Sequence, residues 1–551
     1  MSARVRGAAL ALVVLLLAAC TSMPTSGPVV RSDVVVSDEG RADPLPEGPQ
    51  AGAGPVDIVQ SFLIAGANGF QGEFVTAREY LAGDARQSWK PLAGVVVAGA
   101  LTYSTTSETQ VTVDVPVLAR VDGDGRYTEA PPDARESVTY DLVRNAEGEW
   151  RISGVPDGLV LAKPVFDARF RSASIYFLSA DETFLVPETR WLPEDKLPTH
   201  VMKALLAGPS PWLRDAVVTA IPDGTQLKPE AIVVTGAGVA EVGVEPAATV
   251  LAAQRKLFLA QINASLRPLP GVGSVQVTAG GVNGVILEGA ATLDQGPTPD
   301  VPIEMLQAGK LVALAGNGVK PVDGIGSLEG LGIRYPARDE DGDVRVGVSG
   351  GSSLVTLPLG GKAGTTLLTG SDLVAPSVDR FGWAWTATTA DGLVAGRAGA
   401  KPVSITADFL QGRQVRSVRV ARDGTRVAVI SSGADGVAVD VGAVVRDANG
   451  APQQIGEVVR AGSLLTDATS LVWKDESTLA VIGRSAGTLA VHLVPVSGPT
   501  SALPEVADVD ALAGGSVPYV TTTDGTLRRY TASSWAAVPS VEGVMDPSFP
   551  G

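Results

Sequence analysis

Four stretches in the second half of the chain repeat one pattern, strand, acidic tight turn, strand, and a chain built this way has few folds open to it. The first is Pro376-Ser377-Val378-Asp379-Arg380-Phe381-Gly382-Trp383-Ala384-Trp385, followed by Val418 to Val429 around Asp423-Gly424 and by Leu471 to Val481 around Asp475-Glu476. The same unit recurs at Tyr519 to Tyr530 around Asp524-Gly525. A period near 40 to 50 residues with one such hairpin per unit is the pattern of propeller blades, whose radial closure leaves only short, protected edges. The region from about Pro302 to Gly551 has many strands and turns and no helical period. Its roughly 250 residues correspond to five or six blades. A pair of β-sandwiches is the alternative that the same strand density allows.

Upstream the periodicity changes twice. Pro55 is a favourable first-turn residue, and Ile58, Val59, Phe62 and Leu63 share a helical face; a second short helix is expected near Phe74 to Leu81. The period then becomes two. Val111, Val113, Val115 and Val117 share a face, Asp122-Gly123-Asp124-Gly125 makes a turn, Ser137 to Val143 alternates, and a turn at Asn145 to Gly148 leads into Trp150-Arg151-Ile152. Helices followed by a meandering sheet resemble the cone-shaped NTF2-like α+β fold, over roughly residues 55 to 165. Such folds carry a pocket in some members and are plain scaffolds in others.

A further α+β segment runs from about Ala173 to Glu288. Ser174 to Leu178 and Thr183 to Val186 read as a hairpin around Asp181-Glu182. Thr199 is the expected N-cap of a helix from His200 to Leu206, stopped by Gly208-Pro209. A longer helix from Thr249 to Leu266 would place Leu251, Phe258, Ile262 and Leu266 on one side, and strands are expected at Ala231 to Thr235 and Val239 to Val244. With Leu205-Leu206-Ala207-Gly208-Pro209 and Ile221-Pro222-Asp223-Gly224-Thr225, this order resembles the GerMN domain of sporulation and germination proteins.

The amino terminus has the parts of an export signal: Arg4 and Arg6, an apolar run from Gly7 to Leu17, then small residues. That run is shorter than the roughly 20 residues a membrane span needs. Leu17-Ala18-Ala19-Cys20 resembles the lipobox of bacterial lipoproteins, and Cys20 is the only cysteine of the chain. The resemblance implies S-diacylglycerol on the Cys20 thiol, cleavage before it, and N-palmitoyl on the new terminus. An ordinary signal peptide with a chance cysteine is the alternative. With Cys20 modified, no thiol remains for a disulfide or a Zn–thiolate site. The segmentation expected is 1–19 signal, 20–54 tether, 55–170 NTF2-like domain, 171–295 GerMN-like domain and 296–551 propeller.

The formal charge of −16 includes Arg4 and Arg6, so cleavage leaves about −18. A chain this acidic, without Lys/Arg clusters, is no nucleic-acid binder, and anionic headgroups would repel it. Attachment to a membrane therefore rests on lipid.

Motifs that suggest catalysis fail on context. Gly347-Val348-Ser349-Gly350-Gly351 matches a nucleophile elbow, which needs a strand before and a helix after, but Ser352 to Leu359 alternates like another strand. Only His200 and His492 could serve as a base, and each reads as structural. Asp339-Glu340-Asp341-Gly342-Asp343 has its glycine misplaced for a calcium loop and lacks the closing glutamate, so it reads as a solvated turn, like Asp122 to Gly125. Asn263-Ala264-Ser265 falls on an expected helix, and Trp383, Trp385 and Trp473 read as packing residues at comparable blade positions. The sequence thus points to no catalytic residue, no metal site and no cofactor.

Lipobox, NTF2-like module, GerMN-like domain and propeller, in that order, resemble the actinobacterial LpqB lipoprotein family over nearly the whole chain. What the resemblance implies is a lipid-anchored cell-surface protein that contacts the extracellular domain of the sensor kinase MtrB. It would modulate the MtrA–MtrB two-component system in cell-wall homeostasis and division. A binding module for cell-wall glycan or peptide is the alternative, and a hydrolase using Ser349 a more remote one.

Overall fold

The computed structural model describes residues 47–550 apart from 282, 297–300, 317 and 516. The expected signal, Cys20 and most of the expected tether lie outside the described residues. Residues 47–54, placed in the tether by composition, lie against the first domain: the Tyr80 hydroxyl donates to the Glu47 carbonyl at 2.8 Å, and Gly52 N–H donates to Glu149 at 2.8 Å.

The helix Pro55–Ala67 begins with proline in its first turn, and Asp57 accepts from Gly54 N–H at 3.2 Å, which satisfies one of the helix's free amide groups. Its face Ile58, Val59, Phe62 and Leu63 is buried against a seven-stranded sheet. The central strand, Gln110–Asp122, alternates as its valines demand, with Val111, Val113, Val115 and Val117 all inside. It pairs antiparallel with Gly94–Ala98 and with Arg135–Arg144, and Gly94–Ala98 pairs parallel with Leu159–Ala162.

The second module opens with the hairpin Phe170–Ser179 and Leu185–Pro193, longer on both sides than the sequence pattern. A βαβ unit follows, in which Val239–Glu245 lies parallel to Ser274–Ala279 through a helical crossover. Two expectations need correcting here. The crossover is not one helix but two, Ala247–Ala252 and Arg255–Leu266, because the chain leaves helical geometry at Ala253 and Gln254. The break resets the rotation, so Phe258, Ile262 and Leu266 are buried while Leu251 is exposed. Nor is Thr199 an N-cap: the helix runs Leu197–Ala207, begun earlier by Pro198 in its first turn, and the Thr199 hydroxyl accepts from Ile232 N–H at 2.9 Å.

The third module is a six-bladed propeller of four-stranded sheets. Blades 2 to 6 begin at Ile333–Arg338, Ser377–Val378, Gln414–Val420, Asp467–Trp473 and Val509–Ala513. Blade 1 takes three strands from Glu304–Gln307, Lys310–Ala315 and Gly318–Pro321, and its innermost strand, Val544–Ser548, from the other end of the chain. The ring is thereby closed by hydrogen bonds, and the first strands touch one another around the axis. Apolar clusters fill every gap between adjacent blades, since a sheet this small cannot bury both faces alone.

Three of the four repeated units join the first and second strands of a blade. In each, the aspartate organises the turn: Asp379 accepts from Phe381 and Trp383 N–H at 2.9 and 3.0 Å, Asp423 from Thr425 and Arg426 at 2.7 and 3.1 Å, and Asp475 from Ser477 at 3.0 Å. Gly424 follows at φ +69, where a Cβ would stand 2.9 Å from the Phe381 ring. The fourth unit is shifted: Tyr519–Thr522 and Leu527–Tyr530 are the second and third strands of blade 6, so Asp524 sits at the opposite end of its hairpin. The tryptophans are not equivalent either, because Trp385 is on a second strand and Trp473 on a first.

Candidate functional site

The residues singled out for chemistry are not brought together. Ser349 ends the strand Arg345–Ser349, and a glycine hairpin, with Gly350 and Gly351 at φ +58 and +73, leads straight into Ser353–Thr356. Its hydroxyl donates to the Leu331 carbonyl at 2.6 Å, which is a hairpin geometry and not an elbow. His492 is buried in blade 5 with Nδ1 3.2 Å from the Ala490 carbonyl, and burial holds its pKa down. His200 is on the helix of the second module, where burial and then Lys203 push its pKa down. Asp339 accepts from Val344 N–H at 3.1 Å inside a turn of blade 2. Asp122 accepts from Asp124 and Arg126 N–H at 3.0 and 2.9 Å. Among the described residues no group of three or more His, Cys, Asp or Glu stands close enough to hold a metal ion.

Two features that the sequence pattern did not isolate are better candidates. The first is a cavity of about 1080 Å³ in the NTF2-like module, between the helix Pro55–Ala67, the strand Arg135–Arg144 and the strands Gly94–Ala98 and Leu159–Ala162. Phe62 packs tilted against Trp89 and edge-on against Tyr140, at centroid distances of 5.1 and 6.2 Å, and forms an apolar wall. Arg120, ion-paired to Glu136, and Arg126, 2.7 Å from Asp122, supply charge at the same cavity. An apolar surface with a few placed polar groups is what small-ligand pockets have. Its signal in the sequence is the alternation Glu136, Val138, Tyr140, which puts a charge and an aromatic ring on one strand face.

The second feature is the seam joining the three modules. Trp191, from the second module, packs tilted against Tyr127 and Phe166 of the first at 5.3 and 5.2 Å and donates from Nε1 to the Ser497 carbonyl of the propeller at 2.9 Å. Glu129, buried, accepts from Thr500 N–H and Oγ1 at 2.8 and 2.7 Å. Asp181 binds Arg380 of blade 3, Tyr176 donates to Glu476 of blade 5, and Arg426 of blade 4 reaches the Pro187 carbonyl at 3.4 Å. The Asp122 to Gly125 turn belongs to this seam and not to solvent alone, since the Gly125 carbonyl accepts from Trp191 N–H at 2.7 Å. No local pattern could announce such contacts, as their partners lie in different modules and those to the propeller are about 200 residues or more apart.

Comparison with known proteins follows the same three divisions. The family described as "Lipoprotein LpqB, N-terminal domain" matches residues 48–167, that described as "Sporulation and spore germination" residues 174–284, and that described as "Lipoprotein LpqB beta-propeller domain" residues 309–550. Relatives named Lipoprotein LpqB include one from Streptomyces coelicolor, 30% identical over 98% of this chain and 96% of its own. Another from Thermobifida fusca is 28% identical over 93% of this chain and 92% of its own, and one from Cutibacterium acnes 28% identical over 96% of both. Among the described residues, no helix is long and apolar enough to cross a membrane.

Proposed function

This chain belongs to the LpqB lipoprotein family, and on that premise we propose that it is a non-enzymatic regulatory lipoprotein held on the extracytoplasmic face of the cell membrane through Cys20. Cys20 carries S-diacylglycerol, and its freed amino terminus carries N-palmitoyl. Each buried methylene contributes about 0.8 kcal/mol, so one chain binds reversibly and several hold firmly. The three modules present their surfaces to the extracellular domain of the sensor kinase MtrB and modulate the MtrA–MtrB system in cell-wall homeostasis and division. The observation that carries this reading is the single cysteine of the chain, at the end of Leu17-Ala18-Ala19. Support comes from the polar and aromatic seam, which suits a rigid docking body.

The test is Cys20→Ala in cells. Membrane retention and kinase modulation should be lost together, and signalling that survives release of the protein would sink the tethered-regulator reading. The 1080 Å³ cavity favours a second reading, a binding module for cell-wall glycan or peptide. Purified peptidoglycan should then retain the protein above a control polymer, and recovery at background disposes of it.

A further inference from the structure

The first strands of the six blades surround an axial channel, and it holds a chamber of about 40 Å³ where those strands end and their turns begin. Turns at this end of the ring, at Arg380 and Glu476, are the ones that meet the second module. Water needs at least about 10 to 15 Å³, so the chamber has room for a few waters or one small ion.

Two arginines, Arg419 and Arg422, are among the residues that line it. Arg419, near the end of the first strand of blade 4, donates from Nη1 to the Ala375 and Val418 carbonyls at 3.0 and 2.7 Å and, among the described residues, touches no carboxylate. Burial alone pushes its pKa down to about 10. Arg422, in the turn that follows, has a buried Nε with no acceptor, and among the described residues it makes no hydrogen bond and no ion pair within 4 Å. Glu340 and Asp475 act on Arg422 through space without pairing with it, and burial raises the pKa of Glu340. Pro336, Pro376, Pro547 and Pro550 also line the chamber and have no N–H to donate.

A guanidinium drawn partly out of water without a paired carboxylate is costly, and an anion beside it relieves that desolvation. A guanidinium presents its donors in a fork that matches the oxygens of a carboxylate or phosphate. We propose that this chamber is a binding site for one small oxyanion, of the phosphate or carboxylate class, held between Arg419 and Arg422.

Isothermal titration of the full chain in detergent, with inorganic phosphate and with acetate against chloride at matched ionic strength, tests it. Saturable binding of at least one oxyanion at one site per chain is expected, weakened about tenfold or more in Arg422→Gln and Arg419→Gln, the loss expected when one charged donor pair is removed. Phosphate or acetate saturating alone identifies the preferred class. The proposal is overturned by a lack of saturable binding of either anion at millimolar concentration, or by binding that both variants retain in full. Arg422 has no hydrogen bond to lose, so its variant should fold, which circular dichroism checks. If neither variant folds, the wild-type chain decides: a melting temperature that rises with oxyanion over chloride supports the site, and one that does not removes it.

Discussion

Asp181 sits at the tip of the second module's hairpin, where its carboxylate accepts from Arg380 at 2.7 and 2.9 Å and from Ser179 Oγ at 2.7 Å. Partial burial pulls its pKa up, but these donors outweigh burial and hold the carboxyl well below the usual carboxylate range. An acid whose folded pKa is depressed contributes stability that is complete above its unfolded value, near about 3.9, and is lost as pH falls through the folded value. The side chain is 39% exposed, so solvent screening limits the pair to about 1 kcal/mol or less. Asp181→Asn should therefore be less stable than the wild type at neutral pH, and the difference should shrink below about pH 4. Denaturant titrations of both chains at neutral and acid pH check this; a gap that does not narrow in acid contradicts it. The sequence made Asp181 legible as a turn residue, since an acid between two short strands is local information. Its partner, Arg380, belongs to a different repeat in a different module, and no spacing rule connects them.

At the scale of elements, the strand Val544–Ser548 closes the ring. It pairs with Glu304–Gln307, buries Val544 against Ile303 and Met305, and places Asp546 where Arg334 donates to it from Nε and Nη2 at 2.6 and 3.0 Å and Tyr335 N–H at 3.0 Å. Deleting residues 544–551 leaves one edge of blade 1 unpaired and Arg334 without its anion. A loss of about 3 kcal/mol or more is expected, with aggregation through the exposed edge. A melting temperature equal to that of the full chain would show that closure does not depend on this strand. What was legible at this scale is what has a local period. The valines of Gln110–Asp122, the proline that opens Pro55–Ala67 and the aspartate turns of blades 3 to 5 each follow from residues within one element. The break at Ala253 and Gln254 was hidden because both residues tolerate helix, and tertiary packing overrode their weak preference. The shifted fourth unit was hidden because a hairpin reads alike whichever pair of blade strands it joins. The closing strand gave no signal, as its partner lies at the far end of the propeller sequence.

The whole molecule is held in one arrangement by contacts between its modules, and Trp191, from the second module, touches both of the others. Its ring packs on Tyr127 and Phe166, its backbone N–H binds the Gly125 carbonyl, and its indole N–H binds the Ser497 carbonyl. The same junction contains the Glu129 bonds to Thr500 and the Tyr127 N–H bond to Ser497 Oγ at 3.0 Å. Trp191→Ala removes the aromatic filling of this junction and leaves the Ser497 carbonyl unpaired. Truncation of a packed aromatic costs about 3 to 5 kcal/mol, here drawn mostly from the coupling between modules, because the core of each remains intact. Calorimetry should show the modules melting together in the wild type and separating in the variant, with the propeller, closed by its own strand, melting last. Hydrogen exchange should quicken at Tyr127 and Thr500, whose N–H groups are bonded across the seam, and stay slow inside the blades. A Trp191→Ala chain that still melts in one transition at a lower temperature would mean that the apolar core shared by the second module and blades 4 and 5, with Asp181–Arg380 and Tyr176–Glu476, suffices to couple that module to the propeller. Where the transitions separate, kinase modulation measured in cells at the same temperature gains a clear meaning. Modulation lost with the protein still anchored ties the regulatory role to the joined arrangement of modules, and modulation kept assigns it to the face of a single one.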